Sequence, residues 1–274
     1  MTVMYQRTIY ESITATGIGL HSGKEVVLSL LPAPENTGIV FERSDLNGAR
    51  VPMDAFLVQD TMMSSNLVQG AARIGTVEHL LSAVAAMGID NLIIQVSSAE
   101  MPIMDGSAAP FLYLIYEAKI KEQAAPKRFF KIKKQVEVTE GDKWARLEPY
   151  EKGFLMSFEI SFGHKAIAAT PQHFELEFSS SSFAKEVSRA RTFGFLKDLE
   201  YMRSQNLALG GSLDNAIVLD EDSIMNEGGL HYPDEFVRHK MLDAVGDLYI
   251  IGAPLVGQFS AYKSGHALNN QLIR

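Results

Sequence analysis

Histidines spaced among carboxylates are the residues of this chain whose types could do chemistry. In "DEFVRHKMLDAVGDLYIIG", Asp234 to Gly252, His239 and Asp243 stand four residues apart, Asp247 follows four later, and Lys240 adjoins the histidine. On a helix, i and i+4 share a face, so His239, Asp243 and Asp247 form one polar stripe. Phe236, Met241, Leu242, Val245 and Leu248 supply the apolar side. Most polar stripes are solvated faces, and this helix alone supports that bland reading. A second helix shifts the balance. "TVEHLLSA" sets Glu78 beside His79 among Leu80, Leu81 and Val84. A lone histidine there is more often a hydrogen-bonded core residue, but burying an adjacent Glu-His pair is costly unless a metal or partner compensates.

Taken together, His79, His239 and Asp243 make a two-His, one-carboxylate set that leaves a coordination position open. Zinc hydrolases use such a set to activate water, and non-haem Fe(II) accepts it as well, so ligand type leaves the metal open. Glu78, next to one ligand, could act as general base. His266 lies in "SAYKSGHALNN", a Gly-containing turn after the strand "VGQFSAY", where it reads either as an active-site loop residue or as ordinary surface. Asp247 could orient it and keep it protonated for an acid role. Lys240, Lys263 and His21 are the basic residues near these positions. His21 falls in "GIGLHSGK", a glycine-punctuated segment of the kind that contacts ligands, and a weak signal alone. "SRARTFGF" puts Thr192 and Phe193 beside two arginines; by local pattern it is an exposed end of an amphipathic helix.

These residues need a scaffold. The 274 residues are 46% hydrophobic and 21% charged, ample for a packed core. A net charge of −8 gives no electrostatic case for nucleic-acid binding, so an anionic ligand must be met by a local basic cluster. With no cysteine, disulfides, iron–sulfur clusters and thiol catalysis are excluded. The N-terminus lacks the pattern of a secretory signal, and no apolar run approaches the roughly 20 residues that span a bilayer. A cytoplasmic protein is expected. "KEVVLSLLP" alternates like a strand, and "TVEHLLSAVAAMG" reads as a helix capped by Thr76 and stopped by Gly88. "NLIIQVS" is a buried strand; "MDGSAAPFLYLIYEAKIKE" gives an Asp105-Gly106 turn and a helix capped by Ser107. A charged connector, Lys121 to Lys134, separates residues 1–126 from 127–274. Beyond it come the strands "KQVEVTE", "KWARLEP", "GFLMSFEISF" and "HFELEFS", a helical segment from Ser182 to Gln205, the strand "NAIVLD" and the first-described helix. Strands grouped ahead of helices argue α+β rather than a doubly wound sheet. No residue-level repeat relates the halves.

The motifs "TVEHLLSA", "PIMDGSAAPF", "SRARTFGF", "LGGSLDNAIV", "DEFVRHKMLDAVGDL" and "AYKSGHALNN" resemble, in order and spacing, the UDP-3-O-acyl-N-acetylglucosamine deacetylases. These are zinc amidases that commit Gram-negative bacteria to lipid A synthesis, and the resemblance runs from "TIYESITATGIGLHSGK" to "HALNN". It implies Zn2+ (or Fe2+) on His79, His239 and Asp243, Glu78 as base, and His266 as acid tuned by Asp247. It implies Thr192 at the oxyanion, and Phe193 with the stretch around Leu207 and Gly211 at an acyl-chain passage. Lys240, His21 and Lys263 fall on the diphosphate side and Phe162 near the uridine. The implied fold is two similar α+β domains whose helices, packed on mainly antiparallel sheets, meet at the centre of a sandwich. The substrate would be the acylated nucleotide sugar and the protein a monomer. Relatives often carry a cysteine where "DTMMSSN" has methionine and serine, and usually continue with a helix past "HALNNQLIR". The competing readings are a non-catalytic nucleotide-sugar or lipid-binding protein with a structural metal, and an Fe(II) oxygenase.

Overall fold

The computed structural model describes residues 3–274. Helices α1 (Glu78–Ala86), α2 (Ala109–Glu117), α3 (Lys165–Ala168), α4 (Ser180–Glu186), α5 (Leu196–Ser204), α6 (Glu235–Tyr249) and α7 (His266–Ile273) combine with several sheets in an α+β fold. In the first half the strands run in the order Ile13–Ile18, Glu25–Pro32, Leu92–Val96, Ile39–Arg43, Ala49–Pro52. All neighbours are antiparallel except Leu92–Val96 beside Ile39–Arg43. The second half repeats the plan with Val136–Glu140, Lys143–Glu148, Leu255–Tyr262, Phe154–Glu159 and His173–Glu177. Its parallel pair, Leu255–Tyr262 beside Phe154–Glu159, falls in the same place. In each half, then, the strand of the five that comes last in sequence slots into the middle of a sheet that earlier hairpins have framed. The pairing plan recurs although the residues do not.

Burial follows the alternation that the sequence shows. Val26, Leu28 and Leu30 point into the core from one strand, and Leu255, Gly257, Phe259 and Ala261 from the central strand of the other sheet. Helix α2 packs on the strand Ile13–Ile18 and on α1; α6 packs on Phe154–Glu159 and His173–Glu177, and α7 on Val136–Glu140 and Lys143–Glu148. Between these layers α1 lies directly on α6. Gly246 permits the approach, since a Cβ there would sit 2.0 Å from the carbonyl oxygen of Glu78. A helix packed on several sides buries its polar stripe. His239, Asp243 and Asp247 are 2%, 4% and 1% exposed, so the solvated-face reading of α6 is wrong.

Helix ends decide several local details. Gly88 closes α1 as expected, with φ +65° and the Gly88 and Ile89 amides donating to the Ala85 and Val84 carbonyls, a Schellman stop. Thr76 does not cap that helix. It takes a left-handed φ of 57°, and α1 begins beyond Val77 with no side-chain cap. Ser107 stands one place before the N-cap, Ala108, though its hydroxyl still accepts the Ala109 amide. The charged connector starts as a strand, Ile120–Pro126, antiparallel to Tyr5–Ile9, its polar side chains facing water along most of its length. That pairing returns the chain to its own beginning, and a domain boundary after Pro126 is the proposal it supports.

The segment Ser182–Gln205 is not one helix. Between α4 and α5 the chain extends, and Phe193–Phe195 pairs in parallel with Ile217–Leu219, so "SRARTFGF" is no amphipathic helix end. Arg191 turns inward to buried Glu235, with Nε 2.9 Å from Oε1 and Nη2 3.1 Å from Oε2. A second excursion, a three-stranded sheet of Val58–Asp60, Asn66–Gln69 and Ala72–Ile74, leads into α1. Among the described residues no helix is long and apolar enough to cross a membrane.

Candidate active site

The packing of α1 on α6 brings His79, His239 and Asp243 together. Asp243 Oδ1 lies 3.4 Å from His79 Nε2 and 3.3 Å from His239 Nε2, and the two imidazole rings meet edge to face at 5.0 Å. His239 Nδ1 donates to the Ala190 carbonyl at 2.9 Å, which fixes the tautomer and leaves Nε2 as a lone pair facing the carboxylate. Asp243 Oδ1 is buried without a hydrogen-bond partner, an expensive state for a carboxylate oxygen. One divalent cation among two imidazole nitrogens and this oxygen would satisfy all three, and the three ligand atoms lie within 4.8 Å of one another. The residues fit a metal.

Electrostatics keep the set ready. Burial pushes His79 below its ordinary value, which favours the neutral imidazole that a metal needs. Burial works against ionised Asp243, but the neighbouring Lys240 ammonium helps hold its carboxyl well below the usual carboxylate range. Lys240 Nζ donates to Asp243 Oδ2 at 2.8 Å and also faces the cavity. Burial disfavours the ammonium, yet Asp243, Asp247 and Glu78 keep Lys240 above its ordinary value.

Beside the ligands sit two groups of opposed tendency. Burial, with the charges of Asp247 and Asp243, raises Glu78 to about 7 against the opposing pull of His266. Burial also penalises the His266 imidazolium, but Asp247 and Glu78 outweigh it and raise the group to about 9. Asp247 Oδ2 accepts from His266 Nδ1 at 2.9 Å, leaving His266 Nε2 3.8 Å from Glu78 Oε1. Near neutrality this is a carboxylate poised to accept a proton facing an imidazolium poised to donate one. His266 is not in a loop: it is the first residue of α7, behind Gly265 as N-cap.

These groups line a cavity of about 610 Å³. Its apolar wall comes from α5 and the strands flanking it, including Leu196, Leu199, Met202 and Val218. Thr192, Phe193, Phe162, His21 and Gly211 line the same space. Thr192 is set by backbone bonds, its amide donating to Gly106 and its carbonyl accepting from Ile217. Gly106 must be glycine there, with φ +85° and a Cβ that would stand 2.1 Å from the Asn215 oxygen. Phe162 packs edge to face on Phe193 with ring centroids 5.5 Å apart. His21 accepts the Ala208 amide on Nδ1 at 3.4 Å, and burial lowers its pKa despite nearby Glu100.

Two expected residues stay outside. Lys263 pairs with Asp142 at 2.5 Å on the surface, and Leu207 sits half-buried behind the turn at Ala208 that does reach the cavity. Three others carried no sequence signal. Ser65 is buried between Glu78 and Asp247; Thr76 puts a buried, unpartnered hydroxyl at the cavity; Glu100 accepts the amides of His21 and Ser22 at 2.7 and 3.0 Å.

A hydrolase that activates water beside a metal and seats a long apolar substituent is the class this arrangement defines. The chain belongs to the family described as LpxC, UDP-3-O-acyl N-acetylglycosamine deacetylase, whose model matches residues 6–274. It is 61% identical over 274 residues to the UDP-3-O-acyl-N-acetylglucosamine deacetylase of Psychrobacter cryohalolentis, spanning 100% of this chain and 85% of that one. The protein of the same name from Shewanella sp. (strain ANA-3) is 56% identical over 274 residues, 99% of this chain and 89% of the relative. That of Psychrobacter sp. (strain PRwf-1) is 60% identical over 272 residues, 99% and 91% of the two chains.

Proposed function

We infer that the chain removes acetate from the 2-acetamido group of UDP-3-O-acyl-N-acetylglucosamine, a deacetylation of lipid A biosynthesis. The observation that carries this reading is the junction of a buried donor set with a largely apolar cavity of about 610 Å³, walled by Leu196, Leu199 and Met202. Zn2+ is the metal we assign to His79, His239 and Asp243, with Fe2+ compatible with the same donors. When bound, such a cation supplies Lewis acidity, polarising a carbonyl and making water a stronger acid. The chain's own residues do the rest. Glu78 accepts the proton of the attacking water. Thr192, held by Gly106 and Ile217, presents its hydroxyl toward the oxygen that gains charge. His266 gives its proton to the amine as the carbon–nitrogen bond breaks, and Asp247 holds that imidazole in place and charged.

Substrate recognition divides along the cavity. Phe193 and the α5 wall take the acyl chain, with Gly211 at its border, while Lys240 and His21 face the diphosphate. Phe162 lies on the wall with Phe193, where a ring could stack on the uracil or on the acyl chain. The position of Lys263 lends no support to a diphosphate role. All these groups come from one chain, which supports a monomer, and a nucleotide-sugar substrate supports the cytoplasm. The reading is tested by titrating metal into chelator-treated protein: acetate release should rise in proportion to bound metal up to about one per chain. His79→Ala, His239→Ala and Asp243→Ala should lose metal and acetate release together. Acetate release independent of bound metal would sink the assignment, and oxygen consumption would favour the oxygenase.

A further inference from the structure

Glu78 and His266 come from opposite halves of the chain, so something must fix one relative to the other. Ser65, 1% exposed, lies in the loop that leads from the strand Val58–Asp60 to Asn66–Gln69. Its amide donates to Glu78 Oε2 at 3.0 Å and its hydroxyl lies 2.6 Å from Asp247 Oδ1. An ionised carboxylate can only accept, so the hydroxyl donates. Asp247 Oδ2 accepts from His266 Nδ1 and from Asn269 Nδ2, each at 2.9 Å. The ring then closes, because His266 Nε2 faces Glu78 Oε1 at 3.8 Å. The Ser65 carbonyl also accepts the Val77 amide at the head of α1.

We propose that Ser65 is a positioning residue which holds the proton acceptor and the proton donor of the reaction in one register. The proposal rests on the acid–base roles given above to Glu78 and His266. Each contact has a separate consequence. The amide occupies one oxygen of Glu78, so the other is turned toward His266 and the substrate. The hydroxyl occupies one oxygen of Asp247, so the other is presented to the His266 ring. Remove the hydroxyl and a buried carboxylate oxygen loses its donor, leaving the carboxylate free to rotate and the imidazole free to follow. A serine that merely fastened the loop would leave the chemical step alone and lower only thermal stability.

The two are separated by kinetics on the metal-loaded protein. Ser65→Ala should lower kcat about tenfold to a hundredfold, the loss expected from one hydrogen bond to a charged group, with KM and bound metal unchanged. Placed on Asp247→Asn, it should cost less than about threefold more, because the contact it removes acts through Asp247. The low-field proton resonance of His266 Nδ1 should move in Ser65→Ala even without substrate. Ser65→Cys, which keeps the size and a weak donor, should fall between the two and serves in its place if the alanine variant does not fold. Losses that multiply in the double variant, or kcat within twofold of the parent together with an unmoved resonance, would overturn the proposal. Glu78→Gln and His266→Gln run alongside. Should those two retain normal kcat, the acid–base reading itself fails, and with it the ground for this one.

Discussion

Replacing Glu78 by Gln removes a proton acceptor without changing the shape of the site, and its effect can be worked from the two perturbed groups. Activity needs Glu78 ionised and His266 protonated, with values of about 7 and about 9. Below the first, Glu78 holds a proton and cannot accept another, so the rate falls as pH drops. Above the second, His266 is neutral and cannot donate, so the rate falls as pH rises. The competent form therefore peaks between the two values and declines on either side. Glu78→Gln should abolish the acid limb and lower kcat by ~10²–10⁴, or about 3–5 kcal/mol of barrier. His266→Gln should abolish the basic limb instead. The assay is the pH profile of kcat/KM from acetate release, with bound metal measured at each pH. An acid limb near 7 that survives in Glu78→Gln would refute the reasoning, since the titrating group would then lie elsewhere.

Other expectations follow from single contacts. Lys240→Ala should retain metal but raise KM, most at low ionic strength where attraction to the diphosphate is least screened; equal KM across salt concentrations would count against a phosphate role. Shortening the 3-O-acyl chain by two methylenes should cost kcat/KM about 15-fold, from ~0.8 kcal/mol for each methylene buried against the α5 wall; a flat response would make that wall ordinary core. Arg191→Met should destabilise the fold by about 3–5 kcal/mol in denaturant titrations, because it strands buried Glu235, and a loss under about 1 kcal/mol would show that Glu235 finds another partner.

The ligand set was legible because its logic is local. His239 and Asp243 share a helix face by period alone, and Glu78 and His79 are neighbours in an apolar helix where an ionisable pair is conspicuous. Motif resemblance carried the site further than periodicity could, to Thr192 and Phe193, whose local pattern pointed to a helix end. What stayed hidden depends on contacts distant in sequence. Ser65 meets Asp247 across 182 positions, and Arg191, in the extended stretch where one long helix is expected, meets Glu235 across 44. The polar face of α6 read as solvated because a single helix does not reveal that α1 and two sheet strands surround it. The strand Ile120–Pro126 read as a connector because its charges face water and its partner lies at the other end of the half. Lys263 looked available from its sequence neighbours, but Asp142, on the turn before Lys143–Glu148, claims it.

The same dependence on helix contact gives the most stringent test of how the site is assembled. Two of the catalytic and ligand side chains, Glu78 and His79, ride on α1, while His239, Asp243 and Asp247 ride on α6. Their separation is therefore the separation of two helices, and Gly246 sets it. A methyl there would stand 2.0 Å from the Glu78 oxygen, 2.7 Å from its carbonyl carbon and 2.9 Å from its Cα, all backbone atoms that no rotamer change can move aside. Normal contact requires α1 to retreat by about 1 Å or more. The added methyl is not near substrate and carries no polar atom. Even so, Gly246→Ala should shift Glu78 and His79 together away from Asp243, lengthening the His79–Asp243 distance that now stands at 3.4 Å while leaving His239–Asp243, both on α6, unchanged. Metal affinity and kcat should fall together, and overpacking should cost about 1–3 kcal/mol of stability. Apparent metal affinity by competition with a chelator, compared with thermal midpoints for the metal-free and loaded forms, reads both effects. A variant that loses stability but binds metal as tightly as the parent would show that the donor set is held by α6 and its surroundings, with the α1 contact contributing packing alone.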